Sequence, residues 1–204
     1  MKLILGIVAG FALLIPGLPP PANLYKIDLT QSTVGVTIFQ EGFLKRMRPS
    51  HAIEVKSFTG WVSYTPGKEA QASAELIAEA KSLVNAEKEI GEVEKREFES
   101  ALRNAVLEAP KYPQIVFRST SIADLKRNPK GHTFTLHGDL TMHGVKRRIA
   151  IPVSVEVSGK QLIATGAIDF KQTDFEMKPY EAAFGLIKIR DDAKVTFSIV
   201  ARAS

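Results

Sequence analysis

The chain has no cysteine, which removes disulfides, thiol catalysis and thiolate metal sites at once. It also closes the route of lipid-anchored export, which needs a cysteine at the cleavage point. Past residue 14 no apolar run is long enough to cross a bilayer as a helix. A glycine-rich phosphate loop is lacking, as is a serine in a nucleophile-elbow pattern. There is no internal repeat and no low-complexity tract. Net charge is only +5 over 204 residues, too small an excess to indicate nucleic-acid binding. Apolar content of 45% and charged content of 24% are globular values and exclude general disorder.

What is present begins with a leader. Lys2 precedes a nearly unbroken apolar run from Leu3 to Leu14, of signal-peptide length and too short for a comfortable membrane span. Cleavage is expected after Ala22. Residues 1–22 then form a signal peptide and residues 23–204 one domain, periplasmic or secreted, stabilised by its core alone.

Between His132 and Val157 the residues outline a β-hairpin. Apolar side chains fall on even numbers before Gly144 (Phe134, Leu136, Leu140, Met142) and on odd numbers after it (Val145, Ile149, Ile151, Val153, Val155, Val157). This alternation is the period of a strand with one buried face. A two-residue turn at His143-Gly144 sets Met142 opposite Val145 and keeps both apolar rows on one face. Similar alternation marks Tyr25, Ile27 and Leu29, then Val34, Val36 and Ile38, and the stretches 115–122, 162–170 and 195–201. Residues 51–64 read as one strand, with Ile53, Val55 and Trp61 prominent. Residues 72–84 have helical composition but place Ala72, Ala74, Leu76, Ala78 and Ala80 on one parity, and read as strand. Glu92 to Ala109 is the one good helix, with a stripe of Phe98, Leu102, Ala105, Val106 and Ala109 stopped by Pro110. Residues 171–191 read as irregular. About eight antiparallel strands and one inserted helix define an all-β class, expected to close as a small barrel. The interior of such a barrel is either filled by side chains or holds one small ligand.

Side chains that could do chemistry are sparse. His137 lies on the polar face of its strand and His143 in the turn, about 20 Å apart along the chain, far beyond a shared metal with bonds of about 2 Å. His51 and His132 have no paired ligand near them in sequence. Surface histidines and a turn residue are the stronger reading, and no metal, cofactor or catalytic group is expected. Glu92, Glu94, Glu97 and Glu99 read as a solvated helix face, and Asp191-Asp192 as a loop. Two basic groups stand out. Lys45, Arg46 and Arg48 interleave with Phe43, Leu44 and Met47, and Lys146, Arg147 and Arg148 open the strand after Gly144. Ordinary solvated charge is the plainer reading; transient contact with an anionic membrane surface or headgroup is the functional one. Arg147 carries the inward parity of Val145 and Ile149, so it is expected at a barrel end, snorkelling to water or meeting an anionic group.

An ordered set of segments adds a resemblance. Tyr25-Lys26-Ile27-Asp28, Tyr112-Pro113-Gln114-Ile115-Val116-Phe117-Arg118-Ser119, Gly138 to Arg147, Gln172-Thr173-Asp174-Phe175 and the closing stretch Lys194 to Ala201 resemble, in this order, the YceI-like family of exported polyisoprenoid-binding proteins. One departure is Gln31, where many members carry the histidine of a His-Ser pair. The resemblance implies an extended lipocalin-like antiparallel barrel whose interior holds an isoprenoid or other long-chain lipid. Joined to the parity rows, it makes Val34, Val36, Ile38, Phe117, Phe134, Leu136, Leu140, Ile149, Ile151, Val153, Ile168, Phe170 and Phe197 the expected ligand-binding lining, with Arg147 at its end. A non-enzymatic stress or interaction protein with a packed barrel is the second hypothesis. An enzyme or metal protein using His51, His132 or His137 ranks well below both. The first two differ in interior volume, several hundred Å³ against small voids.

Overall fold

A computed structural model describes residues 23–41, 49–182, 184 and 186–203. The expected signal peptide, residues 1–22, and the basic stretch with Lys45, Arg46 and Arg48 lie outside the described residues. The strands are β1 (Asn23–Ile27), β2 (Thr33–Glu41), β3 (Ser50–Val55), β4 (Phe58–Tyr64), β5 (Ser73–Glu79), β6 (Leu83–Asn85), β7 (Gln114–Asn128), β8 (Gly131–Met142), β9 (Val145–Ser158), β10 (Gln161–Lys171), β11 (Glu181–Ala182) and β12 (Ile187–Ala203). Helix α1 (Glu92–Ala101) continues into a π-helical turn, Leu102–Val106.

Hydrogen bonding runs β1-β4-β5-β7-β8-β9-β10-β12 and back to β1, a closed antiparallel barrel of eight strands. Strands β2, β3 and β6 extend from β12 as a flap on the same sheet. Closure removes the sheet edges that would otherwise stay unpaired. The expected hairpin forms in register, with Met142 opposite Val145. Its turn takes positive φ at both His143 (52°) and Gly144 (76°), the hairpin geometry whose twist matches the strands. Gly144 also lies under the Tyr112 ring, where a Cβ would approach within 2.6 Å.

Several elements differ from the sequence expectation. Residues 51–64 form two strands rather than one. The chain breaks at Lys56-Ser57, where both backbone N–H groups are taken by Ser82. The inward parity flips there, from Ile53 and Val55 to Phe58 and Tyr64, all buried. Residues 72–84 are strand as far as Glu79, then divide through a short 3-10 turn into β6. The helix keeps its place, but the π turn bonds Leu107 N–H to the Leu102 carbonyl. The extra residue in the turn rotates the stripe, burying Leu107 and exposing Ala105. β7 continues to Asn128 through two register shifts, with Asp124 at positive φ. β12 starts at Ile187, inside the segment expected to be irregular, and shifts register between Ile189 and Ala193. There Asp191 receives the N–H and hydroxyl of Thr173 at 2.8 and 2.6 Å.

The barrel closes at a handover along β12. Its far end pairs with β1 up to Ile27–Ala201, and pairing resumes with β2 at Thr33–Ser198. Residues 28–32 leave the ladder in between. Leu29, read from sequence as part of the first alternation, is accordingly exposed. Asp28 N–H donates to the Val200 carbonyl at 2.8 Å, and the Ser32 hydroxyl accepts from Val200 N–H at 2.9 Å while donating to the Asp28 carbonyl at 2.7 Å. A side chain thus completes the ladder where backbone cannot. Asp28 itself accepts from the Thr30 hydroxyl and amide and from Arg202, and these bonds hold its carboxyl below the usual range. Ser32→Ala leaves the buried Val200 N–H without a partner and is expected to cost about 1–3 kcal/mol. Chemical denaturation of the two proteins side by side measures it; equal midpoints would remove Ser32 from barrel closure.

Candidate functional site

The barrel encloses one elongated cavity of about 250 Å³. On β8 its wall runs from His132 to Met142, which is about 25 Å along the axis once strand tilt is allowed for. That volume over that length is a bore about one hydrocarbon chain wide. Voids in packed cores rarely exceed a water molecule.

All thirteen apolar residues expected on the lining do line this cavity. Phe134, Leu136, Leu140, Ile149, Ile168, Phe170 and Phe197 point inward and yet are only half-buried. They face an open bore instead of one another. Two glycines set the positions of two of the rings. A Cβ on Gly138 would sit 2.4 Å from the Phe117 ring, and one on Gly166 would sit 2.6 Å from the Phe197 ring. Gly138 and Gly166 share the inward parity of their strands, so each ring lies across the wall where a side chain would project.

One end is plugged by Leu102 and Val106 from the π turn and by Leu107 just after it, together with Met142 and Met177. Here Phe175 and Met177 are almost fully buried, and the Phe170 and Phe175 rings meet edge to face. Arg147 stands beside this end but does not line the cavity. It is exposed, and its Nε donates to the Asp174 carbonyl at 2.8 Å. Lys146 and Arg148 are exposed as well, Arg148 beside Asp139.

Sequence reading gave His51, His132 and His143 no partners. Folding sets each beside a glutamate. His51 Nδ1 lies 2.7 Å from Glu87, under the Phe98 ring. His143 is a turn residue but not a surface one, since its side chain is tucked against Tyr112, 3.2 Å from Glu108 and 3.1 Å from the Phe175 carbonyl. His132 Nε2 lies 3.5 Å from Glu69. Among the described residues no three His, Asp or Glu side chains converge as a metal site.

The Glu69–His132 pair lies at the end of the cavity away from the π turn, and both side chains line it. Glu69 sits in the connection between β4 and β5 and is buried. It accepts the Gly67 N–H at 2.9 Å and has Arg127 at 3.4 Å. Its own backbone N–H and that of Gly67 hold its carboxyl below the ordinary range, with burial opposing and Arg127 and His132 assisting. Beside it Tyr64, edge-on to Tyr25, has its hydroxyl pKa raised by burial and then by the Glu69 charge. Sequence reading missed Glu69 and Tyr64 as lining residues. Glu69 follows a turn dipeptide and looks like any solvated loop charge.

An eight-stranded closed barrel with an apolar bore is the class this geometry defines. The YceI-like domain model matches residues 25–201, and the chain belongs to that family. Among solved structures, BcnA of Burkholderia cenocepacia is 23% identical with a TM-score of 0.67, covering 85% of this chain and 98% of its own. A polyisoprenoid binding domain from Saccharophagus degradans, implicated in plant cell wall breakdown, is 15% identical with a TM-score of 0.65, covering 91% and 100%. The Campylobacter jejuni YceI protein is 16% identical with a TM-score of 0.58, covering 74% and 84%. These likenesses establish the shared fold. No curated protein sequence matches the chain.

Because the folded state lowers the Glu69 pKa, it favours the ionised form. That contribution is complete above the unfolded value of about 4.3 and is lost as pH falls through the folded value. Glu69→Gln is therefore expected to be less stable than wild type at pH 7, with the gap closing below about pH 4. Thermal melts of both proteins from pH 7 to 3 test this; a gap independent of pH would separate Glu69 from any charge role.

Proposed function

We propose that this protein is an exported carrier for a long apolar lipid of isoprenoid type, held inside the barrel. The observation that carries this reading is the row of inward side chains left half-buried around a bore one chain wide. A chain drawn into it exchanges water contact for contact with the wall, at about 0.8 kcal/mol per buried CH₂. A branched, unsaturated chain suits a bore lined by rings and β-branched side chains. Family membership and the polyisoprenoid binding domain among the structural neighbours support the ligand class. The leader over residues 1–22 supports export, with residues 23–204 as the mature domain acting in the periplasm or outside the cell. Val34, Val36, Ile38, Phe117, Leu136, Ile151 and Val153, with the other lining residues, are the proposed contacts. Action is by binding and not by catalysis. A solid interaction barrel, the alternative reading, would leave only small voids where this one has a continuous bore.

Leu136 lies on β8 in the lining, so Leu136→Glu sets a charge in the bore. The folded variant is expected to lose the lipid that the wild type retains through purification, as read by mass spectrometry of organic extracts. A folded Leu136→Glu protein carrying the same lipid would place the binding site elsewhere.

A further inference from the structure

We infer that the plugged end of the bore is a fixed floor, and that it limits the carried chain to about five isoprene units. This inference rests on the lipid-carrier reading and adds the chain length that the site selects.

The floor joins three separate parts of the chain. Leu102 and Val106 come from the π turn with Leu107 just after it, Met142 from the end of β8, and Met177 from the segment after β10. All five side chains are buried, and all five line the bore. Phe175 is buried in the same apolar cluster but does not reach the bore. The floor is therefore more than one side chain thick.

Polar bonds outside the bore tie these parts together. Arg147 Nε donates to the Asp174 carbonyl at 2.8 Å, and His143 Nδ1 lies 3.1 Å from the Phe175 carbonyl. The β8–β9 hairpin thus holds the 172–177 segment. Packing of His143 on the Tyr112 ring ties the chain just beyond the π turn to the same hairpin. Gln172 gives its amide to the Arg190 carbonyl at 2.8 Å and accepts the Met177 N–H at 3.2 Å. Between them Glu176 takes positive φ (58°), the reversal that brings Met177 back to the bore. A chain pressing on this floor must break such bonds and displace close-packed side chains, and interiors resist both. The hairpin and the Gln172 to Phe175 segment, both prominent in the sequence, gain a role here that the lining rows do not explain.

The length limit follows from geometry. Between Met142 at the floor and His132 the bore runs about 25 Å. An extended chain advances about 1.2 Å per bond, so an isoprene unit of four chain bonds covers about 5 Å and about five units fill the bore. Each CH₂ enclosed favours binding by about fourfold. Carbons in excess stay outside, past Glu69 and the exposed Arg127 that meets it at 3.4 Å, and gain nothing.

The test is a competition from membranes, in which every chain starts from the same apolar surroundings. Lipid-free protein is equilibrated with phosphatidylcholine vesicles holding equal amounts of farnesol, geranylgeraniol, hexaprenol and solanesol, alcohols of three, four, six and nine isoprene units. Vesicles are removed by flotation, and organic extracts of the protein are read by mass spectrometry. Farnesol and geranylgeraniol are expected at similar levels. Hexaprenol is expected at least about tenfold lower, since its last unit stays in water at about fourfold per carbon, and solanesol lower still. Joint Leu107→Ala and Met177→Ala substitution deepens the bore and is expected to raise hexaprenol toward geranylgeraniol while farnesol is unchanged. Solanesol retained as well as geranylgeraniol overturns the length limit and leaves the carrier reading standing. A limit that stays put in the folded double variant overturns the floor as its cause. Retention of none of the four alcohols overturns both readings. Should the double variant not fold, Met177→Ala alone decides, with a smaller rise of hexaprenol expected and no rise overturning the floor.

Discussion

Everything in this barrel depends on one edge of β12. The strand is long enough to serve two neighbours on that edge, β1 at its far end and β2 nearer its start. Between them the chain must leave the ladder for five residues, opposite Val200, without stranding buried backbone groups. Ser32 solves this with a single hydroxyl that both accepts and donates. The handover closes the ring through β1 and at the same time grows the flap of β2, β3 and β6. The Ile-Asp and serine elements of the family motif thus have an architectural role here. Gln31, beside them, has its side-chain oxygen 3.5 Å from the Gln161 amide on the surface.

Closure alone would allow a packed interior. Two features keep it open. Gly138 and Gly166 let the Phe117 and Phe197 rings lie across the wall. The helix contributes no buried side chain of its own from α1 proper; its plug comes from the π turn and Leu107 at one end. The bore is apolar through its middle, with Glu69 and His132 at one end and Gln172 near the other.

Arg147 shows how a parity argument can be right about a strand and incomplete about a side chain. Its backbone position is on the inward row. At the last turn of the barrel that row meets the 172–175 segment, and the guanidinium finds the Asp174 carbonyl outside the cavity. A long flexible side chain at a strand end is free to choose its partner, whereas Leu136 in mid-strand is not.

The alternation of β8 and β9, the His143-Gly144 turn and the thirteen lining positions were legible because side-chain direction in a strand is fixed by a period of two. The break at Lys56 was hidden because Trp61, prominent and on the odd parity, masked the flip to Phe58 and Tyr64. Local sequence determined the strands, the hairpin, the helix and the apolar face, since each follows from neighbours along the chain. Tertiary structure alone decided the double use of β12, the π rotation of the plug and the meeting of Glu69 with His132. Those depend on which segments lie side by side, and residues 69 and 132 become neighbours only when the connection between β4 and β5 folds over the start of β8.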